Sequence, residues 1–380
     1  MENPLCRALQ IAFPLIQAPM AGVSTPELAA AVSNAGALGS ISLGASNLAQ
    51  ASAMLNHLRQ LTAGPVNINL FCHAPPQRDA ERESAWLARF KPLFEQYGAS
   101  PPQSLTEIYP TFNASSPPPS PRPRVGPRPQ PRANFPPFLS PPPPLREPIL
   151  NAAPAAVSFH FGLPEQDVID QLKRQGIVTL ASATSVDEAR QAAAAGIDFV
   201  VAQGIEAGGH RGIFDPQKTD TQMSTMTLVQ AIVRQCDLPV IAAGGIMDGN
   251  AIAAMMKLGA TGVQLGTAFV LCPESAANAA YRAALKSATA TGTEMTAAIS
   301  GRPARALSNA FCHYTRGIAH EAIPDYPLAY SLGKALAAAA AAQGEHGFGA
   351  QWAGQGAMLA REMPAAALIK ALITEYHAAQ

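Results

Sequence analysis

Short apolar runs alternate along this chain with stretches whose apolar residues recur at helical spacing. Runs near 14–18, 37–42, 66–71, 155–161, 177–182, 197–203, 238–243 and 262–265 are bounded by Gly, Pro or polar residues, as buried parallel strands are. Stretches at 165–175, 186–195, 227–235 and 251–258 carry one apolar face each and predict helices between them. Eight strands with intervening helices predict a (β/α)8 TIM-type barrel, an α/β fold. A doubly wound open sheet is the alternative if the strand count is off by one. Barrel strands one to three fall in 1–112 and strands four to eight in 151–270. Residues 271–380 predict a mainly helical extension over the barrel mouth, the Ala-rich run 335–342 being a packed helix.

One segment breaks the alternation. Between Asn113 and Pro148 lie 15 of the 35 prolines, interspersed with Arg122, Arg124, Arg128, Arg132 and Arg146. Each proline removes a backbone donor and fixes φ, so neither a helix nor a central strand is expected there. A Pro/Arg-rich, poorly ordered insertion over 113–150 is the first reading. A docking ligand for an SH3-like partner and a shifted reading frame in GC-rich coding DNA are the other two.

Composition narrows the class. Apolar residues make up 48% and charged residues 14%, which allows a large core under a sparsely charged surface. With 26 basic and 26 acidic residues, a nucleic-acid or membrane-surface partner is not expected. The five cysteines show no CxxC spacing and are expected as reduced thiols in a cytoplasmic protein. The N-terminus lacks a basic-then-apolar pattern, and no run reaches the roughly 18 apolar residues of a membrane span. His57, His73, His313, His320, His346 and His377 show no metal-ligand spacing, so no metal is expected.

The chemistry gathers where strands end. The first strand ends in Pro19, Met20, Ala21 and Gly22, the third in Asn69, the fourth in His160. The sixth ends in Gln203 and runs into a loop with Gly208, Gly209, His210 and Arg211; the last two end in Gly244-Gly245 and in Gln264, Leu265, Gly266 and Thr267. In βα barrels ligands bind at those ends. Any one of these glycines needs no more than a tight turn. As a set across two adjacent strands, they predict backbone amides converging on a phosphate, aided by a helix start at 248–251. No GxGxxG or GxxxxGK[ST] pattern occurs in the right context, which disfavours a dinucleotide fold or P-loop. His160, on a buried strand, is by itself more often a satisfied core group. His210, flanked by glycine, has no packing reason to be there and is the candidate for proton transfer or anion binding. Tyr326, Tyr330 and Lys334 share a face if their segment is helical; alone, that face reads as a solvated one.

Together these residues resemble the nitronate monooxygenases (2-nitropropane dioxygenases), class I. The likeness runs through 16–22 (IQAPMAG), 67–70 (NINL), 158–162 (SFHFG), 203–212 (QGIEAGGHRG), 243–246 (AGGI) and 264–267 (QLGT). It continues through 300–305 (SGRPAR), the Tyr326/Tyr330/Lys334 face and 351–355 (QWAGQ), and is lost over about 113–154. The resemblance implies a flavoprotein with non-covalent FMN at the barrel mouth. Its phosphate would sit on Gly244, Gly245, Gln264, Leu265, Gly266 and Thr267, and its ring near Met20, Ala21, Gly22, Asn69, Gln203 and Gly208. The implied reaction oxidises a small alkyl nitronate, such as propionate 3-nitronate, with O2 to a carbonyl compound plus nitrite or nitrate, a detoxification. His210 and His160 would donate to the nitronate, Tyr326 and Tyr330 would add hydroxyls, and Lys334 would pair with a carboxylate tail. An FMN-dependent NAD(P)H enoyl reductase and a non-catalytic flavin-binding protein are the alternatives. The oligomeric state stays open, a homodimer being one option.

Overall fold

In the computed structural model, which describes residues 3–109, 111–112, 145–287 and 292–380, the eight expected strands close into one barrel. They are β1 (Leu15–Gln17), β2 (Gly39–Ser42), β3 (Val66–Phe71), β4 (Ala156–His160), β5 (Val178–Ala183) and β6 (Phe199–Gln203), then β8 (Val240–Ala243) and β9 (Gly262–Leu265). The short β7 (Gly209–His210) lies outside that sheet. Neighbours pair in parallel in the order β1-β9-β8-β6-β5-β4-β3-β2. The ring closes where Ile16 bridges Leu38 and Gln17 N–H donates to Leu38 O at 2.9 Å.

Strands buried on both faces need continuous apolar sequence, which is why runs such as Phe199–Gln203 do not alternate. Inward side chains of Ile16, Leu38, Leu180, Phe199, Val201 and Ile241 fill the barrel. Its lower end is plugged by Leu5 and Leu9 of α1 (Pro4–Leu9). The outer ring holds α2 (Pro26–Asn34), α3 (Leu48–Leu61), α6 (Gln166–Arg174), α7 (Val186–Ala194), α8 (Thr225–Gln235) and α9 (Gly249–Lys257). Side-chain caps set several starts: Ser224 accepts from Thr227 N and Asp248 from Ala251 N, so α8 and α9 begin two residues before the apolar pattern does.

Among the described residues, the β3–β4 connection holds two helices, α4 (Ala80–Gln96) and α5 (Arg146–Ala152). α4 leaves the ring, and α5 takes its place, packing Ile149 with Leu55, Leu58 and Leu172. Arg146 and Pro148, assigned from sequence to the proline-rich segment, belong to α5, where a proline in the first turn costs no hydrogen bond. Residues 113–144 of that segment lie outside the described residues.

The C-terminal part contains α10 (Ala279–Lys286), β10 (Thr293–Thr296), β11 (Ala304–Leu307), α11 (Ala310–Thr315), α12 (Leu328–Ala342) and α13 (Ala365–Ala378). It is mainly helical but also holds an unexpected antiparallel sheet, β10-β11-β7. Trp86, Phe90 and Phe94 of α4 share a core with Leu328, Leu332 and Leu336 of α12, so α4 and the extension form one layer. α13 does not sit on the mouth. Its Leu368, Ile369 and Leu372 pack with α2 and α9, in the ring position that follows the last strand.

Gly39 on β2 tests that packing. A Cβ there would lie 1.9 Å from the Ala29 carbonyl oxygen of α2. Gly39→Ala should therefore lower stability by about 2 kcal/mol or more, read by calorimetry as a fall in Tm; an unchanged Tm would mean that β2 and α2 are farther apart.

Candidate active site

The C-terminal strand ends surround a cleft with about 1340 Å³ of open space, its mouth included. One wall is backbone. At the ends of β8 and β9, the N–H groups of Gly245, Gly266 and Thr267 donate to no acceptor among the described residues. Gly245 holds φ +71°, a left-handed conformation that turns its backbone at the strand end. Such unpaired amides form a concave donor surface that fits a dianionic phosphate. The loop at 351–356 closes over this end: Gly354 N–H donates to Thr267 Oγ1 at 3.0 Å and Gln355 N–H to Glu206 O at 2.9 Å. Gly208 is needed there because a Cβ would lie 2.5 Å from Gly354 N.

The opposite wall carries the imidazoles. His210 stands on β7, which pairs with β11 through Ala304 and Arg305 and is thereby pinned to the extension. Arg211, almost wholly buried, anchors the same loop. Its guanidinium donates to Asp220 at 2.9 and 3.0 Å and to the carbonyls of Gln203 and Gly204. Burial would raise the Asp220 carboxyl, but hydrogen bonds from Arg211 and Gln222 N–H outweigh it and hold it low. Gln203 completes the frame, donating to His210 O at 2.9 Å and accepting from Gly212 N–H at 2.7 Å.

His210 Nε2 lies 2.9 Å from Ser300 Oγ, and its ring packs edge-on among Phe161, Tyr326 and Tyr330 and against Trp352 at 5.0 Å. Burial, followed by the nearby His160, Arg302 and His73, pushes His210 down to about 3. His160 is pushed down to about 4, by burial first and Arg302 next, and His73 to about 3 for the same two reasons. All three are neutral imidazoles at neutral pH. Burial raises the phenols of Tyr326 and Tyr330, which stay protonated as donors.

The family model for nitronate monooxygenase matches residues 2–100 and 147–375. This chain belongs to the nitronate monooxygenase family. It is 49% identical over 375 residues to the nitronate monooxygenase of Pseudomonas aeruginosa, with 99% of each chain covered. It is 50% identical over 374 residues to that of Paraburkholderia phytofirmans, covering 98% of this chain and 95% of the relative. The solved nitroalkane oxidase of Streptomyces ansochromogenes superposes with a TM-score of 0.82 at 34% identity, covering 99% and 98% of the two chains. FabK from Thermotoga maritima superposes at 0.70 with 26% identity, covering 100% and 97%. The stretch the family model leaves out, 101–146, contains most of the proline-rich segment.

Within this nitronate monooxygenase fold, Met20, Ala21, Asn69, Gln203, Gly208, Gly244, Gly245, Gln264, Leu265, Gly266 and Thr267 all line the cleft, as do His160, His210, Tyr326 and Tyr330. Gly22 is not among the lining residues; it makes a turn at φ +79°. Lys334 is also outside the lining, exposed on α12, with its ammonium over Tyr109 at 4.8 Å and over Tyr330 at 5.3 Å. Tyr326 precedes α12, so the expected shared helical face holds only for Tyr330 and Lys334. His160 is engaged at both ring nitrogens, Nε2 donating to His210 O at 3.2 Å and Nδ1 lying 2.9 Å from Ser182 Oγ. The donor role expected of it toward a substrate is thereby replaced by a hold on the His210 backbone. Tyr109, Tyr281 and Trp352 also line the cleft and were not singled out from sequence. Trp352 lay in a quoted motif; Tyr109 had no local signal.

The neutral imidazoles fix a pH dependence. Their folded-state values lie below the ordinary histidine value of about 6.5, so the unfolded chain binds more protons. Their contribution to stability is complete above pH 6.5 and is lost as pH falls toward 3–4. Urea unfolding at pH 7.5 and pH 5 should show the loss, and His73→Asn should lessen its slope; a slope unchanged in that variant would contradict a neutral His73.

Proposed function

We propose that this chain oxidises small alkyl nitronates with O2, using FMN held at the barrel mouth. The observation that carries the reading is a set of unpaired backbone N–H groups at Gly245, Gly266 and Thr267 across a cleft from a neutral His210 in an aromatic cage. The likeness to nitronate monooxygenases over almost the whole chain supports it.

The residues present fit FMN. Its phosphate suits the open amides of β8 and β9, with the Thr267 hydroxyl as a further donor. The ring system suits the space between Met20, Asn69 and Gly208, whose missing Cβ lets the backbone of 353–354 close against it. When bound, the flavin supplies electron acceptance from the nitronate and the means of passing electrons to O2.

The protein's own part is to bind, orient and exclude water. A nitronate carries its negative charge on two oxygens, so hydroxyl donors favour it over its neutral carbon acid. Tyr326 and Tyr330 supply protonated hydroxyls. His210, whose Nδ1 has no hydrogen-bond partner among the described residues, presents an uncharged ring that can meet a substrate oxygen without a competing counter-ion. Ser300 can donate to Nε2 or accept from it, so either tautomer is accommodated. Phe161, Trp352 and the tyrosine rings keep the pocket dry, which strengthens each of these contacts. Lys334 at the rim suits a carboxylate tail, as in propionate 3-nitronate.

The test is nitronate consumption, O2 uptake and nitrite release by the purified protein with FMN. Wild type should release nitrite as nitronate disappears. His210→Asn should keep FMN and lose about a hundredfold in kcat/KM. Full activity in that variant would remove His210 from the chemistry. A protein that leaves nitronate untouched but consumes NADH would be a reductase instead.

A further inference from the structure

The turn Ser300-Gly301-Arg302 backs the imidazole wall at His210, Phe161 and Tyr326 and is not among the residues that line the cleft. Ser300 Oγ sits 2.9 Å from His210 Nε2 and 3.2 Å from Arg302 O, either of which can take its one hydroxyl hydrogen. Gly301, at φ +95°, lies so close to the strand of chain before α12 that a Cβ would stand 2.4 Å from Tyr326 N. The Arg302 side chain is buried, with its guanidinium 4.4 Å from the centre of the Phe161 ring and a hydrogen bond to Ile213 O. Phe161 is the ring against which His160, His210, His73 and Tyr326 all pack.

Arg302 has no ion-pair partner among the described residues, which is costly for a buried guanidinium. Glu188 and Asp215 favour its cation from a distance, and Glu188 is already occupied by Thr184 and Phe214 N–H. Buried unpaired charges persist where their field is used. The groups that bear on the charge of His210 are His160 on β4, His73 after β3 and Arg302 itself; Tyr326 and Tyr330 face its ring, and Arg305 stands on the paired strand β11. The neighbouring Arg211 is neutralised by Asp220. Among the described residues Arg302, like Arg305 of β11 beside β7, is a buried cation with no ion pair, and Arg302 is the one whose guanidinium lies over Phe161.

Resting on the nitronate reading, we infer that Arg302 is a positioning residue that adds to burial in keeping His210 a neutral imidazole and supplies the buried positive field by which the cleft selects an anionic substrate over its uncharged conjugate acid. It acts through Phe161, Ser300 and His210 and need not touch the substrate. Burial lowers the Arg302 guanidinium to about 10, so its field is constant through neutral pH and fades only above that value.

The test is imidazole NMR of the purified full-length protein with FMN, titrated with pH, nitrate (a planar anion) and nitroethane (a neutral analogue). In the wild type His210 should stay neutral above pH 5. Arg302→Met should raise its midpoint by about one pH unit and weaken nitrate about tenfold with nitroethane unchanged. Arg302→Lys should follow the wild type in both. A wild-type midpoint near 6.5, an Arg302→Met variant like the wild type, or equal losses of nitrate and nitroethane would overturn the inference. If Arg302→Met does not fold, the wild-type midpoint and Arg302→Lys decide on the same criteria. Nitronate turnover is scored on the same wild-type sample. Its absence alongside a neutral His210 and field-dependent nitrate binding would sink the nitronate reading and leave the role of Arg302 standing.

Discussion

Backbone N–H groups just beyond the ends of β8 and β9, on residues that line the cleft, donate to no acceptor among the described residues. They belong to Gly245, Gly266 and Thr267, of which Gly245 is exposed, Gly266 half-buried and Thr267 buried. On the proposed reading, the phosphate of a flavin would supply their acceptor. The rest of the site is arranged around that demand: Gly208 clears space for the backbone of 353–354, and Thr267 ties the covering loop down.

The facing wall meets the opposite condition. It holds three imidazoles that burial keeps uncharged, ringed by Phe161, Tyr326, Tyr330 and Trp352. Precision comes from the backbone. β7 is paired to β11, and the loop behind it is clamped by Arg211 against Asp220 and two carbonyls. The extension is therefore half of the site and not an attachment. α4 belongs with it, and α13 returns to complete the barrel's outer ring.

The barrel and its cleft were legible in the sequence because buried parallel strands leave unbroken apolar runs, and because glycines cluster where strands end. Met20, Asn69, Gln203 and the glycines of the last two strands were found on that logic alone. What was not legible depends on long-range pairing. Ser300 and Trp352 reach His210 only because β11 joins β7 and the 351–353 strand segment. The hold of His160 on the His210 carbonyl spans fifty positions and leaves no local trace. Lys334 carries the right charge at the right spacing, yet the cation settles over Tyr109 and Tyr330 at the rim. The start of α5 inside a proline-rich stretch was hidden because Pro148 falls where a helix tolerates it.

The cradle at β8 and β9 is tested most directly by comparing FMN with riboflavin, which has the same ring system and no phosphate. Binding to cofactor-stripped protein, followed by quenching of flavin fluorescence, should favour FMN by about a hundredfold or more, the worth of two charge-assisted hydrogen bonds. Equal affinities, or no binding of either flavin, would contradict a phosphate site at these amides.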